Sequence, residues 1–186
     1  NTQTSYLNLN APSDYSVIRT YYPGIKNGDG NYESFSTCIL KNYDSARYKK
    51  LQKRNFNKEV FNYSGTLNNY LNLSKAELVE YDETGQLELL NGKIVLLGFF
   101  KNSLPDVLDD LRFTPMNKRL FGKSFPDMYG LVIHANILTM ALNDNYITET
   151  TSFQTWTIAF VLAFLYNVFL FYFNNRKTLP HKRFFS

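Results

Sequence analysis

The residues most able to bind a ligand or take part in a reaction lie between positions 101 and 135. The carboxylates of Asp106, Asp109 and Asp110 are close enough in sequence to hold a cation through oxygen ligands. Further along, His134 can bind a ligand or act as a base near neutral pH. Each has a structural alternative: the carboxylates suit a solvated or capping cluster beside their basic neighbours, and the histidine suits a hydrogen-bonded core position.

The rest of the chain offers no catalytic or metal-binding set. Cys38 is the single cysteine, which excludes an internal disulfide and a cysteine-based zinc site. We interpret it as a small buried hydrophobic side chain. His181 lies in the C-terminal tail, too remote in sequence to join His134. Neither a Gly-x-Ser-x-Gly elbow nor a phosphate-binding loop occurs. We therefore predict no enzyme activity, no metal and no cofactor.

Three elements must position these residues. Residues 93–100 (KIVLLGFF) form a continuous apolar run, typical of a strand covered on both faces. A polar, proline-containing loop follows, and residues 129–142 then predict a buried helix. The order of strand, long loop and helix predicts an α/β fold with a mixed or mostly parallel sheet and flanking helices.

The upstream sequence predicts a similar mixture. Residues 15–22 predict a strand that ends in a glycine-rich turn at 25–31, and residues 59–63 predict a second short strand. Residues 32–54 have the apolar spacing of a helix. Residues 47–58 contain six basic side chains and no acid. We expect a solvated helix face there, with contact to an acidic ligand or a lipid headgroup as the alternative.

Residues 153–173 contain no charged side chain and predict a transmembrane helix. At about 1.5 Å per residue the segment spans roughly 30 Å, the thickness of a bilayer's hydrocarbon core. Trp156 and Tyr172 lie near its two ends, where such rings favour the lipid–water boundary. Because basic residues follow the segment, we predict residues 1–152 outside the bacterial inner membrane and residues 174–186 in the cytoplasm. A buried core helix is the alternative.

Asn167 is the strongly polar side chain deep in this segment. We expect it either to face another helix, from a second copy or another subunit, or to reach towards water at the cytoplasmic end. The net charge of +4 equals the charge of the four basic residues after Phe173, so it does not indicate nucleic-acid binding. The polar start at Asn1, without Met or a signal peptide, predicts a fragment whose N-terminal part is missing.

Residues 92–143 contain three motifs in order: GKIVLLGFF, DDLRFTP and YGLVIHANILTMALN. They resemble the C-terminal part of a CHASE2 domain, an extracytoplasmic sensory module of bacterial receptors, in which a strand, a loop and a helix carry such motifs. Weaker likeness extends the resemblance over about residues 6–152. The matching positions are Gly92, Lys93, Gly98, Asp109 or Asp110, Thr114, Pro115, Gly130, His134 and Ala135.

The resemblance implies a membrane-anchored sensor that binds a small molecule or a partner protein and transmits the signal through the membrane helix. We expect the switching surface in the loop 101–128 beside the helix 129–143, because that helix leads directly to the membrane segment. Its expected partners are the lipid bilayer, a second copy or another membrane subunit, and an unknown signal; nucleic acid is not expected. The binding or switch candidates are Asp106, Asp109, Asp110, Thr114, Pro115 and His134.

The alternative is a non-catalytic structural or interaction subunit of a bacterial envelope complex. Members of such families carry an early membrane helix, an acidic strand segment and a cytoplasmic kinase or cyclase. This sequence shows one membrane helix and a short tail. Either an effector follows Ser186 or the protein has none, and the full reading frame distinguishes the two.

Overall fold

The computed structural model describes residues 5–7, 9, 16–27, 30–54, 58–98, 110–117 and 125–177. The chain divides into two compact units, Asn1–Ile147 and Thr148–Ser186. In order, the elements are β1 (Thr20–Tyr21), β2 (Gly24–Asn27), β3 (Gly30–Glu33), α1 (Phe35–Tyr43), α2 (Ser45–Lys53), β4 (Glu59–Val60), a 3-10 turn (Leu67–Asn69), α3 (Lys75–Glu83), a second 3-10 turn (Gln86–Leu90), β5 (Leu111–Arg112), β6 (Met128–Tyr129), α4 (Gly130–Leu142) and α5 (Ser152–Lys177).

The sheets of the described residues are three antiparallel pairs: β1 with β4, β2 with β3, and β5 with β6. The predicted mixture of helices and strands is therefore present. The predicted parallel sheet is not found in this part of the chain, where parallel pairing is limited to two isolated bridges. Strands of two to four residues are too short to build the central layer of a doubly covered sheet.

The strand predicted at residues 93–100 is wrong over its described part. Residues 94–98 are irregular, with Leu97 84% exposed, while Ile94 and Leu96 pack partly against the core. An apolar run becomes a covered strand only when neighbouring strands satisfy its backbone on both sides. Residues 99 and 100 lie outside the described residues.

In place of the single helix predicted over residues 32–54, the structure has the end of β3 at residues 32–33 and then two helices, α1 and α2. Asp44 ends the first, and its carboxylate accepts hydrogen bonds from the backbone N–H groups of Ala46 and Arg47 at the start of the second. An aspartate at an N-cap satisfies donors that a helix leaves free. Cys38 is partly buried instead of fully enclosed. The predicted turn at 25–31 lies within the hairpin of β2 and β3.

The prediction of a buried helix at residues 129–142 is confirmed by α4, which organises the core of the first unit. One cluster packs Ile133 and Met140 of α4 against Ile18 of the segment before β1 and Phe61 after β4. A second cluster packs the far side of α4 against α1 and α2. Burying each large apolar side chain contributes about 1.5–3 kcal/mol, so α4 is the element whose loss the unit can least tolerate.

The second unit contains α5, which the sequence predicts as a membrane helix. The stretch Ser152–Asn175 contains an 18-residue window with a mean hydropathy of 1.9, and 0% of that window is buried. A core helix of a soluble protein would hide its apolar side chains, and this one does not. By length and composition α5 is able to cross a membrane.

Candidate functional site

His134 projects from α4 into a closed polar contact with two other segments. Its Nδ1 lies 2.8 Å from the Ser36 hydroxyl of α1, and its Nε2 lies 3.3 Å from the carbonyl oxygen of Leu7. Because a carbonyl only accepts, Nε2 carries the hydrogen and Nδ1 accepts from Ser36. The ring also packs against Phe35 in a T-shaped contact, with centroids 5.3 Å apart. His134 thus joins three parts of the chain.

Burial determines which chemistry is open to the Ser36–His134 pair. Ser36 is 2% exposed and His134 is 4% exposed, so no substrate reaches the hydroxyl. Burial also lowers the pKa of His134, an effect that the hydrogen bond to Leu7 partly offsets. The neutral ring has both nitrogens paired. This geometry matches the hydrogen-bonded core position and not that of an exposed general base.

A buried amide forms the second polar contact of α4. Asn136 is 0% exposed. Its Oδ1 accepts from the backbone N–H groups of Ser64 and Gly65 at 2.7 and 3.0 Å, and its Nδ2 donates to the carbonyl of Gly65 at 2.9 Å. The same Nδ2 donates to the carbonyl of Val132, one turn back in α4, at 2.9 Å. One side chain therefore fastens the 64–65 turn to the central helix.

A third polar contact closes the loop that precedes α4. The backbone N–H of Thr114 donates to Asp127 Oδ1 at 2.8 Å, and its hydroxyl donates to Oδ2 at 2.6 Å. Asp127 N–H donates to the carbonyl of Arg112 at 3.0 Å, beside the β5–β6 pair. We call residues 110–117 and 125–129 the loop base. It leads directly into Gly130, the first residue of α4.

The structure separates the predicted site residues into different environments. Thr114 is buried in the loop base, whereas Pro115 beside it is exposed. Asp110 is exposed, and its carbonyl accepts a hydrogen bond from Gly130 N–H at 3.3 Å. Asp106 and Asp109 lie outside the described residues. His134 lies apart from these, since its described partners are Ser36, Leu7 and Phe35.

Sequence reasoning missed Ser36, Asn136 and Asp127. The sequence does contain a signal for Asn136, since an amide in the apolar run of 129–142 demands buried partners. Ser36 and Asp127 have no such signal, because short polar side chains are common on surfaces. Across the described ranges, no three His, Cys, Asp or Glu side chains come together as a metal-binding group.

Asn167 lies on the exposed surface of α5. Its Nδ2 donates to the carbonyl of Ala163 at 2.8 Å, one turn back in the same helix. Its Oδ1 takes no part in that bond and remains available for a donor from outside the helix.

The family model described as "CHASE2 domain" matches residues 2–172. The match begins before β1 and extends into α5. No curated protein and no solved structure matches the chain at a significant level.

Proposed function

Since the chain belongs to the CHASE2 domain family, we propose that it is the signal-receiving part of a membrane-anchored bacterial receptor. This is a family of extracytoplasmic sensory domains of bacterial receptors, generally non-catalytic. The observation that carries the proposal is the extent of the match, which covers the folded unit and continues into the apolar helix. In our proposal the first unit binds a small molecule or a partner protein, and α5 passes the response across the membrane.

The proposed orientation places residues 1–152 outside the inner membrane and residues 174–186 in the cytoplasm. Residues 153–173 of α5 then span the membrane. The basic residues after position 173 support it, because cytoplasmic flanks are enriched in Lys and Arg. A cysteine introduced at exposed Glu80 in a Cys38→Ala background should react with a membrane-impermeant maleimide on intact spheroplasts. A cysteine introduced at Ser186 should react only after lysis. The reverse pattern of labelling would overturn the orientation.

The proposed switching surface is the loop 101–128 beside α4, with Asp106, Asp109, Asp110, Thr114, Pro115 and His134 as the binding or switch residues. The Thr114–Asp127 contact supports it, because it holds the two ends of residues 115–126 together immediately before α4. A signal that opens or tightens this loop acts on the N-terminus of α4. From α4 the chain continues through residues 143–151 into α5.

The thermodynamics of such a switch impose a requirement. A ligand shifts the two arrangements only by the difference in its affinity for them. Moving the population from 1:99 to 99:1 needs a difference of roughly 10⁴-fold. The buried hydrogen bonds of His134 and Asn136 hold one arrangement of α4 and disfavour intermediate positions, because breaking either set is costly; in the proposal, a second arrangement must supply partners of its own.

Pairing of α5 with a second copy or another subunit is part of the proposal. The support is Asn167, whose Oδ1 would meet a donor from a neighbouring helix in preference to lipid. Asn167→Leu should reduce self-association of the span in a membrane dimerisation reporter about threefold, which corresponds to about 0.6 kcal/mol. Asn175→Leu, near the end of α5, is the control. An unchanged signal for the Asn167 variant would assign the side chain to the lipid–water boundary.

The function itself is tested in the full-length receptor. Deleting residues 5–147 should abolish the response of its output to the natural growth medium, and Thr114→Val should shift the output in the absence of signal. An unchanged output in both variants, together with no ligand bound from any relevant extract, would end the sensor proposal. A reading frame with no effector domain would instead support the structural subunit.

A further inference from the structure

The basic stretch at residues 47–58 is the strongest charged feature of the first unit that the sensor proposal does not use. In α2, Tyr48 and Leu51 are buried. At 100° per residue, Ala46, Lys49 and Lys53 lie on the opposite side of the helix, and all three are exposed. We call this the outward face of α2. Lys58, just after the helix, is exposed as well.

The other basic residues of this stretch are already paired. Arg47 pairs with Asp44 at 3.1 Å, Arg54 with Glu59 at 3.1 Å, and Lys50 with Asp144 at 2.7 Å. Among the described residues, Lys49, Lys53 and Lys58 have no ion pair. Two unpaired lysines on the outward face of α2, with no acid on that helix, form a site for anions, and Lys58 adds a third unpaired positive charge after the helix.

The contacts of α2 reach the last residues of the first unit. Besides the Lys50–Asp144 ion pair, the guanidinium of Arg54 lies 4.4 Å from the ring centroid of Tyr146. These contacts fasten α2 to residues 144–146, the last part of the first unit. Ile147 is joined to Ser152, where α5 begins, by only four residues. Five Cα steps reach about 18 Å at most, so the chain tethers this region to the membrane helix.

We propose that the outward face of α2 binds the anionic headgroups of the bilayer that α5 spans. The inference rests on the proposed membrane span, but it needs neither a signal nor a particular orientation, since both leaflets present headgroups. A soluble anion would find the same lysines, but the short tether keeps headgroups continuously at high local concentration. Glu149 is the single acid between residues 145 and 151, and it does not offset the three lysines.

Headgroup binding would hold the first unit against the membrane. The effect of each lysine near an anionic surface corresponds to about a fivefold change in the ratio of bound to free states. Removing two lysines is therefore expected to lower this ratio roughly 25-fold. The contribution is screened by salt, because the Debye length falls from about 10 Å at 0.1 M to 3 Å at 1 M.

The test uses the full chain in lipid nanodiscs, one set of pure phosphatidylcholine and one with 30% phosphatidylglycerol. A fluorophore is attached to a cysteine introduced at Ala46, in a Cys38→Ala background, and headgroup-spin-labelled lipid quenches it. Co-elution of the chain with the discs tests the proposed span. Quenching tests the outward face alone, so a failure of either is recognised separately.

We expect strong quenching in the anionic discs, weak quenching in the neutral discs, and loss of the difference in 1 M salt. Lys49→Gln with Lys53→Gln should abolish the difference. Lys75→Gln with Lys93→Gln removes the same charge from exposed lysines elsewhere in the first unit and should leave it intact. Equal quenching in both disc types, or equal loss in the two double variants, would overturn the proposal.

Discussion

The buried amide of Asn136 allows the sharpest test of how the central helix is held. Its environment is fully enclosed, at 0% exposure, yet its contacts are polar. We consider two replacements, Asn136→Leu and Asn136→Ala. Leucine has the same branched arrangement of side-chain heavy atoms as asparagine but makes no hydrogen bonds, whereas alanine leaves a space that a water molecule can enter because polar groups line it.

The expected losses in the free energy of unfolding follow from the polar groups that each variant leaves without hydrogen-bond partners. Leucine strands the N–H of Ser64 and both the N–H and the carbonyl of Gly65. At about 1–3 kcal/mol for each buried group, with Ser64 partly exposed, the expected loss is about 3–5 kcal/mol. For alanine we expect about 2–3 kcal/mol, because water replaces part of the lost bonding. Domains of this size are stable by only 5–15 kcal/mol, so both losses are measurable.

Which of the two variants is less stable shows whether Asn136 acts through its hydrogen bonds or only by filling space. If Asn136 only filled space, alanine would be worse than leucine, because it would leave a cavity. Urea unfolding of the full chain in mild detergent, followed by near-ultraviolet circular dichroism of the tyrosines, measures both. Asn72→Ala is the control: its amide donates to two carbonyls in an exposed turn, and we expect a loss below about 1 kcal/mol. A leucine variant within about 1 kcal/mol of the parent would refute the reasoning.

Three further predictions concern the same unit. Arg54→Ala should lower the free energy of unfolding by about 3 kcal/mol, because it leaves the carboxylate of Glu59, which is 5% exposed, without its partner. In a double-mutant cycle, adding Glu59→Gln should recover much of this loss. Strictly additive losses would contradict the prediction. Burial lowers the pKa of His134 below 6.5, so at acidic pH the unfolded chain takes up a proton that the folded chain does not. The free energy of unfolding should therefore fall as the pH drops below about 6.5, by up to about 1.4 kcal/mol per pH unit. His134→Gln should flatten this slope between pH 7 and 5.5 in urea titrations, His181→Gln should preserve it, and a parent protein with no slope would rule the interpretation out. Thr114→Val should cost about 1.5–3 kcal/mol and speed amide hydrogen exchange in residues 110–117, since it removes the 2.6 Å bond to a carboxylate; unchanged exchange would show that the loop base does not depend on it.

The parts that the sequence predicted well are those in which local pattern is sufficient. The α4 segment is an apolar run long enough to be a helix and ends at Leu142 as expected. Residues 153–173 of α5 have the length and the uncharged composition of a membrane span. The three motifs of residues 92–143 indicated the family, and the match over residues 2–172 confirms that prediction.

The prediction failed where partners distant in sequence decide the outcome. Residues 93–98 have the composition of a buried strand, but a strand needs neighbouring strands, and in the described part of the chain the pairing is limited to short antiparallel ladders and two isolated parallel bridges. Asp106 and Asp109 lie outside the described residues, so their proposed contact with a signal remains a prediction. The helix expected at 32–54 was divided at Asp44, where a side chain that caps the second helix also interrupts the first.

By itself, then, the amino-acid sequence determined the helical core segment, a C-terminal helix long and apolar enough to cross a membrane, and the family, because hydrophobic length and short-range order are properties of a continuous stretch of chain. Only the tertiary structure decided that Asn136 fastens a turn 71 residues away, that His134 is enclosed between Ser36 and Leu7, and that Thr114 closes its loop on Asp127. The physical reason is that a polar side chain acquires its role from the groups that burial brings to it, and those groups come from other parts of the chain.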